Sequence, residues 1–448
     1  MSHINQQTLN GMCDGEGASG EVGVHVAAKE PSARYITGHQ RTDLGEFPED
    51  WNVVPLGEFE PFVTSGSRGW AAHYSDIGST FLRITNLSRS RIYPSLNDLR
   101  YVAVPPGNSE GVRTALKVGD VLVSITADIG IVGLVTEDID LPAYINQHIA
   151  LVRFADRDLN SRYVAYFLAG ASAQLRFKSM TDAGAKAGMN LVGVRDILAA
   201  IPPTIDEQHA IADALTDADA LIDSLAQLLT KKRQIKQGAM QELLTGKRRL
   251  PGFDQPWINV QFGDIAATSQ ERVNPSALFS PPLCLELEQL ESGTGCLSSG
   301  AFESQQAATK SVFRRGDVLF GKLRAYLRKY WLAEFDGVCS TEIWVLRPKG
   351  KLASSRYLFY AVQRDEFIDA ASTAYGTHMP RSDWKFVSEF AVRIPCEPAE
   401  QAAIAQVLAD IDTDLTALEA RLTKARALKQ AMAQALLTGR IRLVAPTA

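Results

Sequence analysis

Apolar residues recur in alternating steps of four and three in two segments of the chain, 201–250 and 394–443. The apolar positions of the first segment are Ile211, Leu215, Ala218, Ile222, Leu225 and Leu229. Those of the second segment are Ile404, Leu408, Ile411, Leu415, Leu418 and Leu422. A mean spacing of about 3.5 residues is typical of a helix that packs lengthwise on one other helix. The pattern predicts two helices of about 40 residues, each about 60 Å long.

The two segments are copies of each other. Ile201, Pro202, Glu207 and Gln208 recur at a constant offset as Ile394, Pro395, Glu400 and Gln401. The obvious partner for each helix is therefore the other copy. The alternative, two unrelated amphipathic helices that each pack on their own domain, leaves this repetition unexplained.

Each predicted helix carries residues that start and stop helices. Thr204 and Glu207 have the spacing of a capping box, in which each side chain bonds a backbone N–H at the other position. Pro398 suits the first position of the second helix. Gly246 and Gly439 suit the residue just past the end of each helix.

Looser repetition extends to the segments before each helix. The motif Gly119-Asp120-Val121-Leu122 matches Gly316-Asp317-Val318-Leu319, and both predict a turn that leads into a strand. Ser161-Arg162-Tyr163 matches Ser355-Arg356-Tyr357, and each triplet predicts the start of a helix of about 15 residues. Each half of the chain is thus expected to be a mixed α/β domain of about 150 residues followed by one long helix.

The twice-used order of these motifs resembles the specificity subunits of type I restriction-modification systems. Residues 316–324, with Asp336–Glu342 after them, are especially typical of the family's target recognition domains. The resemblance implies an α+β fold, in which two mixed α/β target recognition domains are separated by two long antiparallel conserved helices, a coiled-coil spacer. The expected boundaries are 47–200 and 250–393 for the domains, and 201–249 and 394–448 for the helices with the C-terminal tail. Residues 1–46 precede the family's usual start.

By the same resemblance, each domain reads one half of an interrupted, asymmetric site in double-stranded DNA. The expected partners are two modification subunits, which methylate adenine at N6, and ATP-dependent restriction subunits. S-adenosylmethionine, ATP and Mg are expected on those partners, and no cofactor is expected on this chain.

The front of the chain differs in composition from the rest. Glycines alternate with Ser, Asp and Glu up to about Glu30, which leaves little apolar surface to bury and predicts disorder. No signal peptide and no apolar run of about 18 residues appears, so a soluble, cytoplasmic protein without membrane contact is expected. Five cysteines without a C-x-x-C pair favour free thiols over disulfides or a zinc site.

A net charge of −5 excludes a uniformly basic surface, so DNA contacts have to come from local patches. Between residues 310 and 329 lie seven cations and one acid, Asp317. Such cations can neutralise phosphates, and an arginine can pair with guanine. From this run the predicted DNA contacts are Lys322, Arg324, Tyr326, Arg328 and Lys329. The alternative is a charged face that contacts only solvent.

The other candidate contacts are weaker. In the first domain they are Arg83, Thr85, Asn86, Arg89 and Arg91, and Asn86 is of a type that can read adenine. Two glycine-containing stretches, 180–190 and 373–381, add Lys186, Tyr375, His378 and Arg381. The alternative for both groups is a polar or flexible surface loop. His148 and His209 lack partners at metal-ligand spacing and are expected to be structural.

Motifs for catalysis are missing from the sequence. No Asn/Asp-Pro-Pro-aromatic tetrapeptide for a flipped adenine and no G-x-x-x-x-G-K-[ST] phosphate loop occurs. The chain is therefore predicted to be a DNA-binding subunit and not an enzyme. The competing hypothesis is a coiled-coil scaffold that binds proteins without sequence-specific DNA binding. The outer faces of the two helices still carry Ala218, Ala220, Leu221, Leu228 and their equivalents, which predicts that partner helices dock there.

Overall fold

A computed structural model of the chain describes residues 32–34, 38–66, 68–105, 107–155, 158–182, 188–274, 283–298, 309–350, 353–373 and 380–444. The chain divides into two compact units. The first unit takes in Met1–Leu215 and Met432–Ala448, and the second takes in Thr216–Ala431. The glycine-rich stretch for which disorder is predicted lies outside the described residues.

The first unit is built from short strands. They are β1 (Ser32–Arg34), β2 (His39–Thr42), β3 (Gly45–Pro48), β4 (Asn52–Pro55), β5 (Phe62–Ser65), β6 (Tyr74–Ser75), β7 (Ser79–Leu82), β8 (Arg100–Val102), β9 (Val121–Ser124), β10 (Val132–Leu134), β11 (Ala143–Ile145), β12 (Ile149–Arg153), β13 (Leu198–Ile201) and, from the C-terminal segment, β24 (Arg442–Val444). Two four-stranded sheets have the orders β10-β9-β12-β5 and β11-β7-β8-β6. The pairs β13-β4, β2-β3 and β1-β24 complete the unit.

Four short helices belong wholly to the first unit: α1 (Ser109–Thr114), α2 (Ser161–Ala169), α3 (Ala171–Asp182) and α4 (Leu191–Arg195). The main core packs α2 against β9, β10 and β13 around fully buried Trp51, Tyr163 and Phe167. Phe47 and Leu44, from the hairpin β2-β3, are part of this core. Part of the segment before residue 47 is therefore folded into the first unit.

The second unit repeats this plan. Its strands are β14 (Trp257–Gln261), β15 (Ala266–Thr268), β16 (Arg272–Val273), β17 (Cys284–Leu285), β18 (Lys310–Phe313), β19 (Val318–Gly321), β20 (Tyr330–Leu332), β21 (Gly337–Cys339), β22 (Ile343–Pro348) and β23 (Ala391–Pro395). The sheets have the orders β15-β22-β19-β20 and β16-β18-β21-β17, with β14-β23 as a separate pair. The short helices are α6 (Phe262–Ile265), α7 (Ser355–Ala361), α8 (Asp365–Ser372) and α9 (Trp384–Glu389).

The two long helices are α5 (Ile205–Leu243) and α10 (Pro398–Leu436), each of 39 residues. Within the second unit their seam residues form one apolar cluster, which contains Ile222, Leu225, Leu229, Ile411, Leu415, Leu418 and Leu422. Asp219 pairs with Lys429, whereas Lys232 pairs with Asp414. Because later residues of α5 meet earlier residues of α10, the helices run antiparallel. The predicted α+β class, with two mixed domains and an antiparallel pair of long helices, is confirmed.

The ends of the seams pack on the domains. Ile211 and Leu215 lie in the core of the first unit, and Ile404 and Leu408 lie in the core of the second. Ala218, the remaining predicted seam position, is half-buried. The first apolar residues of each long helix therefore pack in a domain core, and the later ones pack against the other long helix.

The helix ends differ in one respect from the prediction. Thr204 Oγ1 accepts from Glu207 N at 3.3 Å, which is half of the capping box. The other half is missing, because the Glu207 carboxylate binds the Arg442 guanidinium and not the backbone of Thr204. Helix α10 begins at Pro398 as predicted, and Gly246 and Gly439 follow the two helices with φ of 73° and 67°.

The single helix predicted after each Ser-Arg-Tyr triplet is wrong. In the first unit the helix is interrupted at Gly170, which separates α2 from α3. In the second unit it is interrupted between α7 and α8. The two Gly-Asp turns, in contrast, are built alike. Asp120 binds Arg153, and Asp317 binds Arg347, so each turn fixes the last residues of the neighbouring strand.

Candidate DNA-contacting loops

The loop that follows β19 carries most of the predicted contacts of the second unit. We call residues 322–329 the cationic loop. Its backbone is anchored on both sides: Lys322 N donates to the Glu342 carbonyl at 3.0 Å, and Arg324 N donates to the Pro380 carbonyl at 2.9 Å. Ser382 N in turn donates to the Lys322 carbonyl at 2.8 Å. The backbone of the first residues of the loop is therefore hydrogen-bonded to the neighbouring segments on both sides.

Two arginines of the cationic loop have a left-handed backbone. Arg324 and Arg328 both have φ of 53°, and they flank a single 3-10 turn, Ala325–Leu327. A non-glycine residue in this region costs about 1–3 kcal/mol and is concentrated at functional sites. The strain is thus a reason to look for a function in these two side chains.

The two arginines differ in their surroundings. The Arg328 guanidinium lies 2.6 Å from Asp365 Oδ1, so its charge is already paired. Arg324 is exposed, and among the described residues none forms an ion pair or hydrogen bond with its guanidinium. Tyr326, between them, is 53% exposed. The free cation and the exposed ring lie at the tip of an anchored loop.

Most of the remaining cations in the basic run are already engaged. Lys310 is buried and pairs with Glu286. Lys329 Nζ donates to the Leu287 carbonyl at 2.8 Å. Arg314 and Arg347 both bind Glu271 and lower the pKa of its carboxyl to about 2. The run is therefore not one open basic patch, and Arg328 and Lys329 have protein partners.

Arg381 approaches the cationic loop from the other side. It pairs through an isolated bridge with Leu323, and its Nε lies 3.1 Å from Glu342 Oε2. The contact is an ion pair without hydrogen-bond geometry, and the Arg381 side chain is 62% exposed. Lys186, Tyr375 and His378, the other candidates from the glycine-containing stretches, lie outside the described residues.

The first unit has a counterpart of the cationic loop in residues 125–130, which follow β9. Ala127 and Gly130 have φ of 63° and 87°, at the places where Arg324 and Arg328 are left-handed. Ile125 N donates to the His148 carbonyl, and Met189 N donates to the Ile125 carbonyl, which repeats the anchoring of Lys322. The backbone frame is the same in both units, whereas the side chains that it carries are different.

Most of the DNA contacts predicted in the first unit have side chains that already bind other groups of the protein. Asn86 is 2% exposed; its amide accepts from Arg83 N and donates to the Ser95 carbonyl, so it does not serve as an adenine reader in this conformation. Arg83 pairs with Asp98, and Arg91 donates to the Tyr93 carbonyl. Arg89 pairs with Asp128 and so holds the loop 125–130. Thr85 alone of this set is exposed without a partner among the described residues.

A polar group that the sequence analysis missed lies beside the loop of the first unit. The His148 ring bonds Thr126 Oγ1 through Nδ1 and Gln147 Nε2 through Nε2, the latter at 3.0 Å. Gln147 and His148 occupy the places that Thr341 and Glu342 have in the second unit, by the repeat. The sequence did offer one signal for this group: the two repeats align here, yet Gln147 and His148 differ in chemistry from Thr341 and Glu342.

Similarity to known proteins identifies the family. Residues 48–236 and 298–425 match the type I restriction modification DNA specificity domain, which is more than half of the chain. The chain belongs to the type I restriction modification DNA specificity family. The region before residue 48, which includes the hairpin β2-β3 up to Phe47, precedes the part that matches the family.

Among family members, the chain is 27% identical over 163 residues to the specificity subunit of the type I restriction enzyme EcoDI from Escherichia coli, which is 36% of each protein. It is 25% identical over 223 residues to the specificity subunit of the type I restriction enzyme MjaVIII from Methanocaldococcus jannaschii, which is 48% of this chain and 50% of that protein. The matches thus span about a third to a half of the length of these relatives.

A solved structure also resembles the chain. It is the S subunit of a type I restriction-modification system from M. genitalium, with a TM-score of 0.53 and 15% identity over 86% of this chain and 96% of that one. At this identity the resemblance concerns the fold. Within the described residues, no helix is apolar over a length that could cross a bilayer.

Proposed function

We propose that the chain is the DNA specificity subunit of a type I restriction-modification complex, and that it reads an interrupted, asymmetric site in double-stranded DNA. Family membership supports this assignment. In this proposal the target recognition domains are residues 47–200 and 250–393, and residues 201–249 and 394–448 are the conserved helices with the tail.

One observation carries the DNA-reading role. Arg324 is exposed, has no partner among the described residues and is held in a strained left-handed conformation by hydrogen bonds to both sides of its loop. A guanidinium that is carried by a fixed backbone and has no acidic partner among the described residues suits bidentate binding to O6 and N7 of guanine. Lys322 is half-buried and adds a positive charge for a phosphate.

The asymmetry of the proposed site follows from the difference between the two loops. Leu323 and Arg324 in the second unit replace Thr126 and Ala127 in the first, on the same backbone frame. Donors and acceptors of different type read different bases. The two halves of the DNA site therefore differ in sequence.

Two modification subunits are proposed to dock on the long helices. Leu221, Leu228 and Ile235 of α5 are 49%, 42% and 47% exposed, and they recur every seven residues. The equivalents in α10 are Asp414, Arg421 and Leu428, so the expectation of an equally apolar face on α10 is corrected. The proposed docking surface of α5 is apolar, whereas that of α10 is mixed.

Catalysis is proposed to reside in the partners. The modification subunits supply S-adenosylmethionine and N6-methylation of adenine, and the restriction subunits supply ATP-driven translocation and cleavage with Mg. This chain supplies the DNA sequence that directs them and carries out no chemistry itself.

Salt dependence and sequence selection test the proposal against the scaffold alternative. A DNA-binding subunit that neutralises several phosphates loses affinity steeply between about 50 and 200 mM salt. The full chain is expected to select one sequence class from a pool of random duplexes at low salt. A scaffold that binds only proteins shows no selection, and its binding to a partner need not depend on salt.

A further inference from the structure

Three polar side chains of the first unit form a chain of hydrogen bonds beside the loop 125–130. Gln147 Nε2 lies 3.0 Å from His148 Nε2, and His148 Nδ1 bonds Thr126 Oγ1. Gln147 and His148 are half-buried and lie between the end of β11 and the start of β12. None of the three residues was a candidate from the sequence.

The direction of these hydrogen bonds follows from the donors present. With the Gln147 amide in the orientation of this structure, its nitrogen can only donate, so His148 Nε2 accepts. The ring proton is then on Nδ1 and is donated to Thr126 Oγ1. Gln147 keeps one amide N–H and its carbonyl oxygen for another molecule, a donor and an acceptor side by side.

The loop around these residues is fixed from several directions. Arg89 pairs with Asp128, and Gln174 Nε2 donates to the Gly130 carbonyl at 2.7 Å. Gly188 has φ of 81°, and a Cβ there would lie 2.8 Å from Thr126 Cγ2. A side chain at residue 188 would therefore collide with Thr126 and with the Ile125 carbonyl. The frame leaves little freedom to the three side chains.

The position of the three residues matches the candidate contacts of the second unit. Where the first unit has His148, the second has Glu342, which pairs with Arg381. Where the first unit has Thr126 and Ala127, the second has Leu323 and Arg324. The same corner of the fold thus carries uncharged polar groups in one unit and charged groups in the other.

We infer that Gln147 is a base-reading side chain of the first unit and that its target is adenine, with His148 and Thr126 as positioning residues. Adenine presents an acceptor, N7, next to a donor, N6–H, and this pair matches the free donor and acceptor of Gln147. Guanine presents two acceptors there and leaves the Gln147 carbonyl unpaired. The inference rests on the proposed DNA-reading function.

The test uses the full chain, alone and at low salt, with duplexes that it has selected from a random pool. Each base pair of the selected sequence is replaced in turn, and the affinity is measured for wild type, Gln147→Ala and Gln147→Glu. Both variants are expected to lose about 5- to 150-fold of the preference for one A·T pair and to keep every other preference. Glutamate keeps the size and the acceptor but lacks the donor, so it answers the question even if alanine unfolds the loop.

Two further comparisons separate positioning from folding. Thr126→Val removes the acceptor of the His148 proton and is expected to lower preference at the same A·T pair, whereas Thr126→Ser restores it. Gln255→Ala, at an exposed glutamine outside the loops, is the matched control and leaves all preferences unchanged. Affinity for a duplex without the selected sequence is expected to stay the same in the uncharged variants, whereas the added negative charge of Gln147→Glu lowers affinity for every duplex alike.

The outcomes distinguish the inference from the proposed function. If wild type selects a sequence but Gln147→Glu and Gln147→Ala keep the full preference at every A·T pair, Gln147 is not the reader and the inference is overturned. If wild type selects no sequence at all, the proposed function fails and the inference fails with it.

Discussion

Lys236 Nζ lies 2.7 Å from Asp412 Oδ1, and the residues at the same places in the other copy, Lys429 and Asp219, form the same ion pair at 2.5 Å. Both pairs join α5 to α10 and are largely shielded from water. The sequence repeat is thus expressed as a pseudo-two-fold relation across the helix pair. A second repeated contact lies at the helix starts, where Glu207 binds Arg442 in the first unit as Glu400 binds Arg249 in the second.

The Lys236–Asp412 pair is expected to couple the two helices energetically. Lys236→Met and Asp412→Asn should each lower the free energy of unfolding, because each leaves a shielded charge without its partner. The double variant should cost less than the sum, with a coupling of about 0.5–3 kcal/mol. Chemical denaturation of the four proteins measures it, and Lys231→Ala, at an exposed position, is the control. Strict additivity would show that the pair contributes nothing.

Residues 1–249 on their own are expected to form a two-fold dimer, with α5 paired to a second α5. In that dimer Lys236 meets Asp219 and Glu207 meets Arg249, so two kinds of contact survive. Lys232 and Arg233, which pair with Asp414 and Glu419 in the chain, instead meet Leu221 and Ala226. The dimer is therefore expected to be weaker than the native pairing.

Sedimentation equilibrium measures this association. A dimer with a higher dissociation constant than the complex of the two separately produced halves, so that it already dissociates at a higher concentration, agrees with the repeat. A folded, soluble fragment 1–249 that stays monomeric at micromolar concentration would show that the two helices are not interchangeable.

Arg324→Gly is expected to separate the contribution of the Arg324 side chain to DNA reading from the effect of its left-handed backbone on stability. Glycine adopts φ of 53° freely, so the variant should be as stable as wild type or more stable by about 1 kcal/mol. Discrimination at one base pair should nevertheless fall by about 1–3 kcal/mol. Arg328→Gly has the same backbone but removes a paired cation, and base discrimination should survive. If Arg324→Gly instead lowered the affinity for every DNA sequence by the same factor, Arg324 would be a phosphate contact and not a base-reading residue.

The sequence predicted the features that depend on neighbours along the chain. The 3.5-residue spacing gave the long helices, and Gly119 and Gly316 marked two turns with φ near 90°. It could not show which polar side chains have partners, since those partners are far away in sequence. Lys310 finds Glu286, and Glu207 finds Arg442, 235 residues further on.

The same limit explains the error at Asn86. An exposed asparagine that reads adenine and a buried asparagine that caps a turn look identical in sequence, and only the fold places Ser95 beside the amide. Gln147 was overlooked for the converse reason. Its role depends on His148 and Thr126, which lie 22 positions apart in the sequence, so that no local pattern reveals their contact.

Acid is expected to remove the contribution of Glu271. Arg314 and Arg347 lower its pKa from 4.5 to about 2 in the folded chain, so its stabilising effect is complete above about pH 4.5. As pH falls toward 2, the unfolded chain takes up the proton first, and the effect is lost. The difference in free energy of unfolding between wild type and Glu271→Gln should therefore be constant from pH 7 to 5 and shrink below pH 4.5. A difference that grows on acidification would contradict the ion pairs.

The most direct test of the account is selection of duplexes from a random pool by the full chain, repeated with Arg324→Gly. Wild type is expected to enrich an interrupted sequence whose two specified blocks differ, at low salt and with affinity that falls steeply as salt rises. Arg324→Gly should lose the preference for one base pair, in one block only. Enrichment of no sequence by wild type, or an equal loss of preference in both blocks with Arg324→Gly, would contradict a chain whose two units read DNA separately.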